Sequence, residues 1–550
     1  MQRPFAGLTR QNAATETVAG VTLLAIAVPL NIGYAQIAGL PPTAGLYALV
    51  VPAVVYAVLV SSRQVVASPD AAAAALVASS IGGLAVSGSA DYLTMALAQA
   101  ILCGIMFVLA AVFRLGFLAS FLSRPILVGF VGGLALDILV SQVAKMLGVP
   151  IDSGAEFLDK MVDLLTGLPT LSWWSVTIAA VSVCVLVVGR RRARAVPWAL
   201  IVLVIATVAV LATGLEQEGV AVLGPVEAGP PTLTWPELSW DVWLALVPSA
   251  MALTMVTVAE GLLVARSYGE KRGYPTSPDR DLLAFGAANI AAGATGGFAV
   301  GSSTSRTAAM DQVGSRTQLP AVVAAVGTLA LLVFGTALLE HIPSPAIGAI
   351  VGVAIVPLLG IRELAAIWKQ DRFELTVGAV CFLATLLVGA IPGIVIAFVL
   401  SLINLAKRAS APVIDVLAAD GEPGASLLDP APSGIPTAPG VLIIRMAAPL
   451  FFANGAVFAE AVRGAVGATP GVQHVVLDLE AVTDVDVTAA EALDSLRSWL
   501  ASHSVSLAYS RPRSQIIDRL HDLSLIADET IYPTNRAALA DLTGPTSARE

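Results

Sequence analysis

The sequence predicts an α-helical membrane protein of about fourteen spanning segments, followed by a small α/β domain. Three observations indicate this fold class. Only 13% of the 550 residues are charged and 57% are hydrophobic, whereas about 25% of a soluble domain is charged. Apolar runs recur as far as residue 409, and many approach the roughly 20 residues that a helix needs to cross a bilayer. Beyond that position the composition becomes that of a soluble protein.

The candidate segments form two sets of seven, separated by the polar stretch 215–239. We predict segments at 17–37, 43–61, 68–84, 92–113, 117–146, 171–189 and 196–214, and then at 240–265, 280–294, 302–312, 317–339, 343–360, 373–389 and 391–406. An odd number of spans per set turns the second set upside down relative to the first, which defines an inverted repeat. The repeats cover about 17–214 and 240–407.

The placement of basic residues predicts the orientation of the chain. If each segment reverses direction, most Lys and Arg near segment ends, including the run 190–194, fall on the side of the N-terminus. The loop 215–239 on the other side has four Glu and no Lys or Arg. Because loops rich in Lys and Arg stay in the cytoplasm, we expect both termini on the cytoplasmic side of the cell (inner) membrane. Lys145 and Lys160 are exceptions to this pattern.

The third segment of each set, 68–84 and 302–312, is short and rich in small residues. Each follows a stretch with Pro, Gly or β-branched residues, at 64–69 (QVVASP) and 298–302 (FAVGS). We therefore predict an extended stretch that enters the membrane and continues as a half-helix. Irregular backbone at that depth requires protein or a cavity beside it, because lipid cannot satisfy its polar groups. Two short, tilted but continuous helices are the alternative.

The chain changes character after the last apolar segment. Residues 410–437 carry several Pro and Gly together with Asp415, Asp420, Glu422 and Ser426, which predicts a linker between a membrane domain at 1–409 and a soluble domain at 438–550. In that domain we predict strands at 441–445, 474–479 and 505–510 and helices at 458–466, 487–502 and 514–523. Alternating strands and helices indicate a small α/β domain.

The motif content excludes several classes of function. The sequence has no phosphate-binding P-loop, zinc-ligand spacing or Ser/His/Asp set, so we expect no enzyme, no cofactor and no ATP-driven pump. The net charge of −9, without a large basic patch, argues against nucleic-acid binding. Cys103, Cys184 and Cys381 all lie in apolar runs, where we expect them to be small buried hydrophobic residues.

The start of the tenth segment combines a cation with several hydroxyl groups. Arg306 closely follows Ser303 and Ser305, and a charge inside a span costs at least about 2.5–3.5 kcal/mol, which favours a functional role. A fixed cation, hydroxyls and the positive N-terminus of a half-helix together favour an anion. Ser68 and Asp70 begin the third segment, and the two half-helix starts would face each other near the midplane.

Each of these charged residues also has a structural alternative. Arg306 could form an ion pair with Glu260 or Asp70, and Asp70 could only cap its helix. Glu260, surrounded by apolar residues, could carry a proton or be the permanent partner of a cation. Asp137 is as consistent with structural pairing as with function.

The first span contains a polar interruption. Asn31 and Tyr34 lie beside Pro29 and Gly33, which predicts a local distortion that lines a cavity. An ordinary proline-kinked helix is the alternative.

Several ordered motifs resemble those of the sulfate permease (SulP) family of anion transporters and of its C-terminal STAS domain. They are 29–35 (PLNIGYA), 38–47 (AGLPPTAGLY), 62–63 (SR), 68–71 (SPDA), 116–118 (GFL), 122–125 (LSRP), 303–308 (STSRTA), 448–454 (APLFFAN), 477–478 (LD) and 484–488 (DVDVT). The resemblance covers nearly the whole chain.

This resemblance implies a fourteen-segment fold in which a core domain moves against a gate domain, a homodimer, and an anion held between the third and tenth segments. Carried over motif by motif, it gives the residues that would line the site as Tyr34, Ser68, Asp70, Ser303, Ser305 and Arg306. It places Glu260 in a coupling position and Thr488 at a position that related domains phosphorylate. The usual Gly after that hydroxyl is Ala489 here, which favours a docking or packing role for Thr488.

The preferred hypothesis is a secondary transporter of sulfate, bicarbonate or a dicarboxylate that works by alternating access. Val264 stands where some sodium-coupled relatives have Thr, so protons are favoured over sodium as the coupling ion. A nucleobase permease, a membrane sensor that signals through the soluble domain, and an anion channel are the alternatives. Arg306 argues against the permease, since neutral bases need no fixed cation.

Overall fold

The computed structural model describes residues 5–82, 84–116, 124–152, 155–193, 196–419, 427, 429–432, 434–526 and 529–543. The chain divides into two compact units, Met1–Ser401 and Leu402–Glu550. Parts of the motifs at 116–118 and 122–125 and the residues Asp420, Glu422 and Ser426 of the predicted linker lie outside the described residues.

The first unit is almost entirely helical, as predicted. Its helices are α1 (Ala13–Ile37), α2 (Pro42–Tyr47), α3 (Val51–Leu59), α4 (Ala71–Ile81), α5 (Ala90–Val112), α6 (Arg124–Leu147), α7 (Phe157–Gly167), α8 (Trp173–Arg192), α9 (Trp198–Thr213), α10 (Trp240–Arg272), α11 (Pro278–Ala294), α12 (Thr304–Val313), α13 (Leu319–Phe334), α14 (Ser344–Ile355), α15 (Ile361–Gln370), α16 (Arg372–Val388) and α17 (Ala390–Ser410), the last of which continues into the second unit. Two strands of two residues each interrupt them, β1 (Ala67–Ser68) and β2 (Gly301–Ser302).

Among the described residues, seven helical stretches are long and apolar enough to cross a membrane, and α4, α9 and α13 are shorter apolar helices. This finding agrees with a multi-pass membrane protein, while the number of fourteen segments stays a prediction. The predicted segment 43–61 is divided into α2 and α3, because Pro52 lies in the first turn of α3, where proline begins a helix but cannot continue one.

The helices α7 and α15 have no counterpart in the predicted segments. Both are amphipathic: Leu158, Val162 and Leu165 on α7 and Ile361 and Trp368 on α15 are exposed apolar residues, and charged residues lie between them. A search for continuous apolar runs misses such helices because only one face is apolar.

The two half-helices are confirmed as local structure. The strands β1 and β2 pair antiparallel, with Ala67 opposite Ser302 and Ser68 opposite Gly301, and α4 and α12 begin two or three residues after them. Because the ladder is only two residue pairs long, the helices that leave its opposite ends begin close to each other. Asn289 of α11 supports this ladder: its side-chain amide accepts from the Val300 N–H and donates to the Val300 carbonyl.

The second unit is a five-stranded sheet with helices. Its strands are β3 (Ile414–Val416), β4 (Val441–Met446), β5 (His474–Asp478), β6 (Ser506–Ser510) and β7 (Thr530–Tyr532), in that spatial order, and its helices are α18 (Gly455–Ala468), α19 (Val487–Ser502), α20 (Ser514–Asp522) and α21 (Asn535–Leu542). β4 to β7 are parallel and β3 is antiparallel to β4. The predicted α/β character is therefore confirmed.

The predicted linker 410–437 is not entirely a connection, since β3 lies within it and extends the sheet at one edge. β3 has only three residues, all of intermediate burial, so it lacks the alternation of apolar and polar residues by which a strand is recognised in a sequence. β7 and α21 were also absent from the prediction; β7 is equally short, and α21 is recognisable mainly by its N-cap Thr534, which accepts from the Ala537 N–H.

Candidate anion site

The N-termini of α4 and α12 form the frame of the site. Each helix N-terminus carries about half a positive charge and unpaired N–H groups, and the pairing of β1 with β2 brings the two together. The ladder is extended by the Ser303 N–H, which donates to the Val66 carbonyl, and by the Val66 N–H, which donates to the Thr307 hydroxyl. The start of α12, capped by the neutral Ser303 hydroxyl, favours a negative ligand, whereas the start of α4 is capped by the Asp70 carboxylate.

Arg306 lies at the centre of this frame. Its side chain is 1% exposed, and neutral oxygens hold it: Nε donates to the Ser303 hydroxyl at 2.9 Å, Nη1 to the Asn31 amide oxygen at 2.7 Å, and Nη2 to the Pro69 carbonyl. The guanidinium also lies over the ring of Tyr34, 5.7 Å from its centroid, within cation–π range. These contacts orient the cation without neutralising it.

Among the described residues, no carboxylate oxygen lies within 4.0 Å of the Arg306 guanidinium. The alternative of a direct ion pair with Glu260 or Asp70 is therefore wrong. Asp70 acts on the Arg306 charge only from beyond this distance. A buried cation without a directly bound carboxylate is costly, so this arrangement favours a ligand that supplies negative charge at the guanidinium.

Asn31 is the residue that sequence reasoning placed in the cavity wall but not in the site. Its side chain is fully buried, accepts from Arg306 and donates to the Gly45 carbonyl at 3.2 Å. The approach of α2 to α1 is so close that a Cβ on Gly45 would lie 2.2 Å from the Asn31 carbonyl oxygen. The feature of the sequence that could have identified Asn31 as a site residue is its polar side-chain amide inside an otherwise apolar helix.

The serines and Asp70 have different surroundings. Asp70 caps α4 by accepting from the Ala73 N–H at 2.7 Å, so the capping interpretation is confirmed for that oxygen. Ser303 caps α12 and accepts from Arg306. The buried hydroxyl of Ser68 has no hydrogen-bond partner, and neither has that of Ser302, the residue opposite Ala67. Such unpaired hydroxyls are costly, and a bound anion would supply the missing acceptor.

Ser305 and Glu260 border this group of residues. Ser305 is exposed on the first turn of α12. Glu260 is partly buried on α10 and interacts electrostatically with Asp70. Among the described residues, no Lys, Arg or His nitrogen lies within 4.0 Å of its carboxylate, so the alternative of a permanent cation partner is not supported.

Three of the charged residues named from sequence have partners outside this frame. Asp137 binds Lys160, with Nζ 2.8 Å and 3.0 Å from its two carboxylate oxygens. Lys145 donates to the Gln36 side-chain oxygen at 3.1 Å. Asp137 therefore has the structural pairing that the sequence left open. Both lysines are drawn into the protein, which explains why they do not follow the distribution of basic residues at the segment ends.

Thr488 lies in the other unit, in the first turn of α19, with an exposed side chain. Asp486 caps this helix by accepting from the Ala489 N–H at 2.7 Å. An exposed hydroxyl at a helix start fits a docking role better than a packing role. Among the described residues, no group of three or more His, Cys, Asp or Glu could hold a metal ion.

The apolar helices, the paired half-helices and the buried cation define a multi-pass membrane transporter. The profile of the Sulfate permease family matches residues 14–381, and that of the STAS domain matches residues 434–538. The chain therefore belongs to the sulfate permease family and ends in a STAS domain. It is an anion transporter of that family rather than an enzyme.

Individual relatives agree with this assignment. A probable sulfate transporter of Mycobacterium tuberculosis is 35% identical over 524 residues, which is 94% of this chain and 93% of the relative. Sulfate transporter 3.1 of Arabidopsis thaliana is 26% identical over 94% of this chain and 82% of its own length.

Solved structures share the fold. The murine Slc26a9 anion transporter in the inward-facing state superposes with a TM-score of 0.88 at 21% identity, covering 98% of this chain and 92% of the other. The transmembrane domain of the cyanobacterial bicarbonate transporter BicA gives a TM-score of 0.61 at 19% identity, covering 72% of this chain and 98% of the other. At these identities the likeness establishes the fold alone.

Proposed function

We propose that this protein is a secondary active transporter that binds sulfate, bicarbonate or a dicarboxylate between the N-termini of α4 and α12. The observation that carries the proposal is Arg306, a buried guanidinium held by neutral oxygens beside two helix N-termini. An oxyanion there would accept hydrogen bonds from free backbone N–H groups at the helix starts and from the Ser68 hydroxyl. Its negative charge would balance the positive charge of Arg306. Sulfate and bicarbonate, the anions that similar proteins are named for, lie within this class.

Transport would follow alternating access, with the repeats 17–214 and 240–407 related by inversion and the core moving against the gate. The domain limits we propose are 1–409 for the membrane domain, 410–437 for the connection and 438–550 for the STAS domain. The protein would lie in the cell (inner) membrane as a homodimer, with both termini cytoplasmic.

Coupling to protons would reside in Glu260. A carboxylate within a span that has no cation partner can take up and release a proton, and such residues mark proton relays in transporters. Its electrostatic interaction with Asp70, which caps α4, connects the charge of Glu260 to the half-helix that frames the anion. Protons are preferred over sodium here because Val264, an apolar residue, stands one helical turn after Glu260.

The test is uptake of labelled sulfate, bicarbonate and fumarate into proteoliposomes, with and without an inward proton gradient. We expect saturable uptake of at least one anion, accelerated by the gradient. Non-saturating flux would indicate a channel, and no flux of any anion under any gradient would reject the proposal.

Replacing Asn31 by leucine should reduce uptake about tenfold to a hundredfold. Arg306 would lose the acceptor of its Nη1, and a hydrogen bond to a charged group contributes about 1.5–3 kcal/mol. The control is Thr22→Val on the same helix, where the hydroxyl donates to the Val18 carbonyl one turn earlier. Equal uptake by the Asn31 variant and the control would show that Asn31 does not position Arg306.

Replacing Gly301 by alanine should reduce uptake about tenfold or more. The new Cβ would lie 2.7 Å from the Asp70 Oδ2 and 3.3 Å from the Thr257 Cγ2. The Asp70 carboxylate, which caps α4, or the strand β2 must then shift, and small misplacements in a site have large effects on rate. Gly464→Ala meets nothing within 4 Å and serves as the control. Unchanged uptake in Gly301→Ala would contradict a rigid site at this ladder.

A further inference from the structure

A polar cavity of about 180 Å³ lies between α4 and α6. On α4 it is lined by Ala75, Ala78 and Ser79, which follow the start of the helix by one to two turns. On α6 it is lined by a polar face that includes Ser141, Gln142 and Lys145. A cavity needs only about 10–15 Å³ to hold one water molecule, so this space accommodates a polyatomic ion together with water.

The acidic residues in the wall of this cavity do not neutralise all of its basic residues. Lys160 is paired with Asp137, and Glu156, the other acidic residue in the wall, is exposed to solvent. Lys145 donates to a neutral oxygen, that of Gln36, and among the described residues no carboxylate oxygen lies within 4.0 Å of its Nζ. The cavity therefore contains one ammonium group without a counter-charge.

Unsatisfied polar groups surround the same space. The side chain of Gln142 is fully buried, and neither its amide nitrogen nor its amide oxygen has a hydrogen-bond partner. The hydroxyl of Thr385, contributed by α16, is also buried and unpaired. Gln142 precedes Lys145 by three residues on α6, so the two side chains share a face of the helix. Native proteins rarely leave buried amides unpaired, and each such group calls for an explanation.

We propose that this cavity is a second anion site, in which a small oxyanion pairs with Lys145 and accepts hydrogen bonds from the Gln142 amide and the Thr385 hydroxyl, while water satisfies the Gln142 oxygen. The proposal rests on the proposed function and extends it. The first residue of α4 belongs to the frame around Arg306, which we call the Arg306 site. At 1.5 Å per residue, the residues of α4 that line the cavity lie about 6 to 12 Å further along the helix axis. The second site would therefore hold an anion waiting on the side of the membrane where α4 ends.

The test is the number of anions bound per chain by the purified full-length protein, measured by equilibrium dialysis with radiolabelled sulfate or bicarbonate, whichever the wild type takes up. We expect two anions for the wild type, one for Arg306→Ala, one for Lys145→Met and none for the double variant. Lys145→Arg should keep both anions because the charge is retained. Lys369→Met, which removes an exposed lysine of α15, should also bind two.

Transport gives an independent readout. Lys145→Met should raise KM about tenfold for anion supplied from the side where α4 ends, since it removes a charged hydrogen-bond donor, and should leave kcat and the KM from the other side unchanged. A single bound anion in the wild type that disappears in Arg306→Ala would overturn the second site and leave the proposed function intact. Full binding by Arg306→Ala/Lys145→Met would instead count against both sites. Normal elution on size exclusion and binding by Lys145→Arg exclude misfolding as the cause of a loss.

Discussion

Replacing Arg306 by alanine is expected to reduce the rate of anion uptake about a hundredfold or more, while the protein still inserts into the membrane and can be purified. The substitution removes the fixed positive charge of the Arg306 site and the donors that hold Asn31, Pro69 and Ser303 in place. Charge-assisted hydrogen bonds to an oxyanion are about twice as strong as neutral ones, so their loss affects binding directly. Uptake of labelled anion into proteoliposomes measures the effect.

Two further variants separate charge from geometry at this position. Arg306→Lys keeps the charge but not the planar group that reaches three acceptors, so we expect uptake between that of the wild type and that of the alanine variant. Arg316→Ala removes an exposed arginine from the connection after α12 and should not change uptake. Wild-type uptake by Arg306→Ala would remove the basis of the site assignment.

Replacing Glu260 by glutamine is expected to remove the stimulation of uptake by an inward proton gradient, while anion exchange without a gradient continues. Glutamine has nearly the same shape but cannot carry a proton, so the anion pathway is retained and the coupling is lost. We expect the accelerating effect of the gradient to fall about tenfold or more. The measurement compares initial uptake with and without the gradient in the same vesicles.

The control for this prediction lies ten residues further along α10. Glu270 is exposed and pairs with Arg266 on the helix surface, and such a pair contributes little, so Glu270→Gln should keep its response to protons. A full response in Glu260→Gln would assign coupling to another group. Loss of exchange as well as coupling would indicate that Glu260 belongs to the anion site itself.

The fold class could be predicted because the bilayer imposes a simple physical requirement. Long helices such as α5 and α10 contain continuous apolar runs. The predicted segment 92–113 agrees with α5 to within two residues, whereas the predicted segment 240–265 stops before the polar last turns of α10, which ends at Arg272. The half-helices were predictable because Pro69 and Gly301 mark breaks in runs that are too short to span. The amphipathic α7 and α15 were missed because their apolar residues recur on one face and never form a run.

Apolar runs also fail to separate lipid-facing from protein-facing residues. Cys184 was expected to be buried, but it is exposed on α8, whereas Cys103 and Cys381 are buried. Lipid and protein interior select the same side chains, so composition does not distinguish the two environments. The interpretation of Cys184 as a buried residue is therefore wrong.

The charged residue of the candidate site could be predicted from the sequence, but its hydrogen-bond partners could not. Arg306 was identified because a cation in a span is costly. Its acceptor Asn31 lies 275 positions away, and no local pattern connects the two. The unpaired hydroxyls of Ser68 and Ser302 likewise result from the pairing of β1 with β2, a contact between distant segments that a single sequence does not reveal.

The most direct test of the central claim is protection of position 305 by the transported anion. Ser305 is exposed beside the buried Arg306, and Cys184 is the exposed cysteine among the three, so Cys184→Ser/Ser305→Cys presents one accessible thiol. Its rate of modification by a charged thiol reagent should fall as the transported anion is added, with half-protection near the KM of uptake and no protection after Arg306→Ala. Ser502→Cys, exposed in the other unit, should show no protection. An unchanged rate at position 305 under saturating anion would contradict an anion bound at the start of α12.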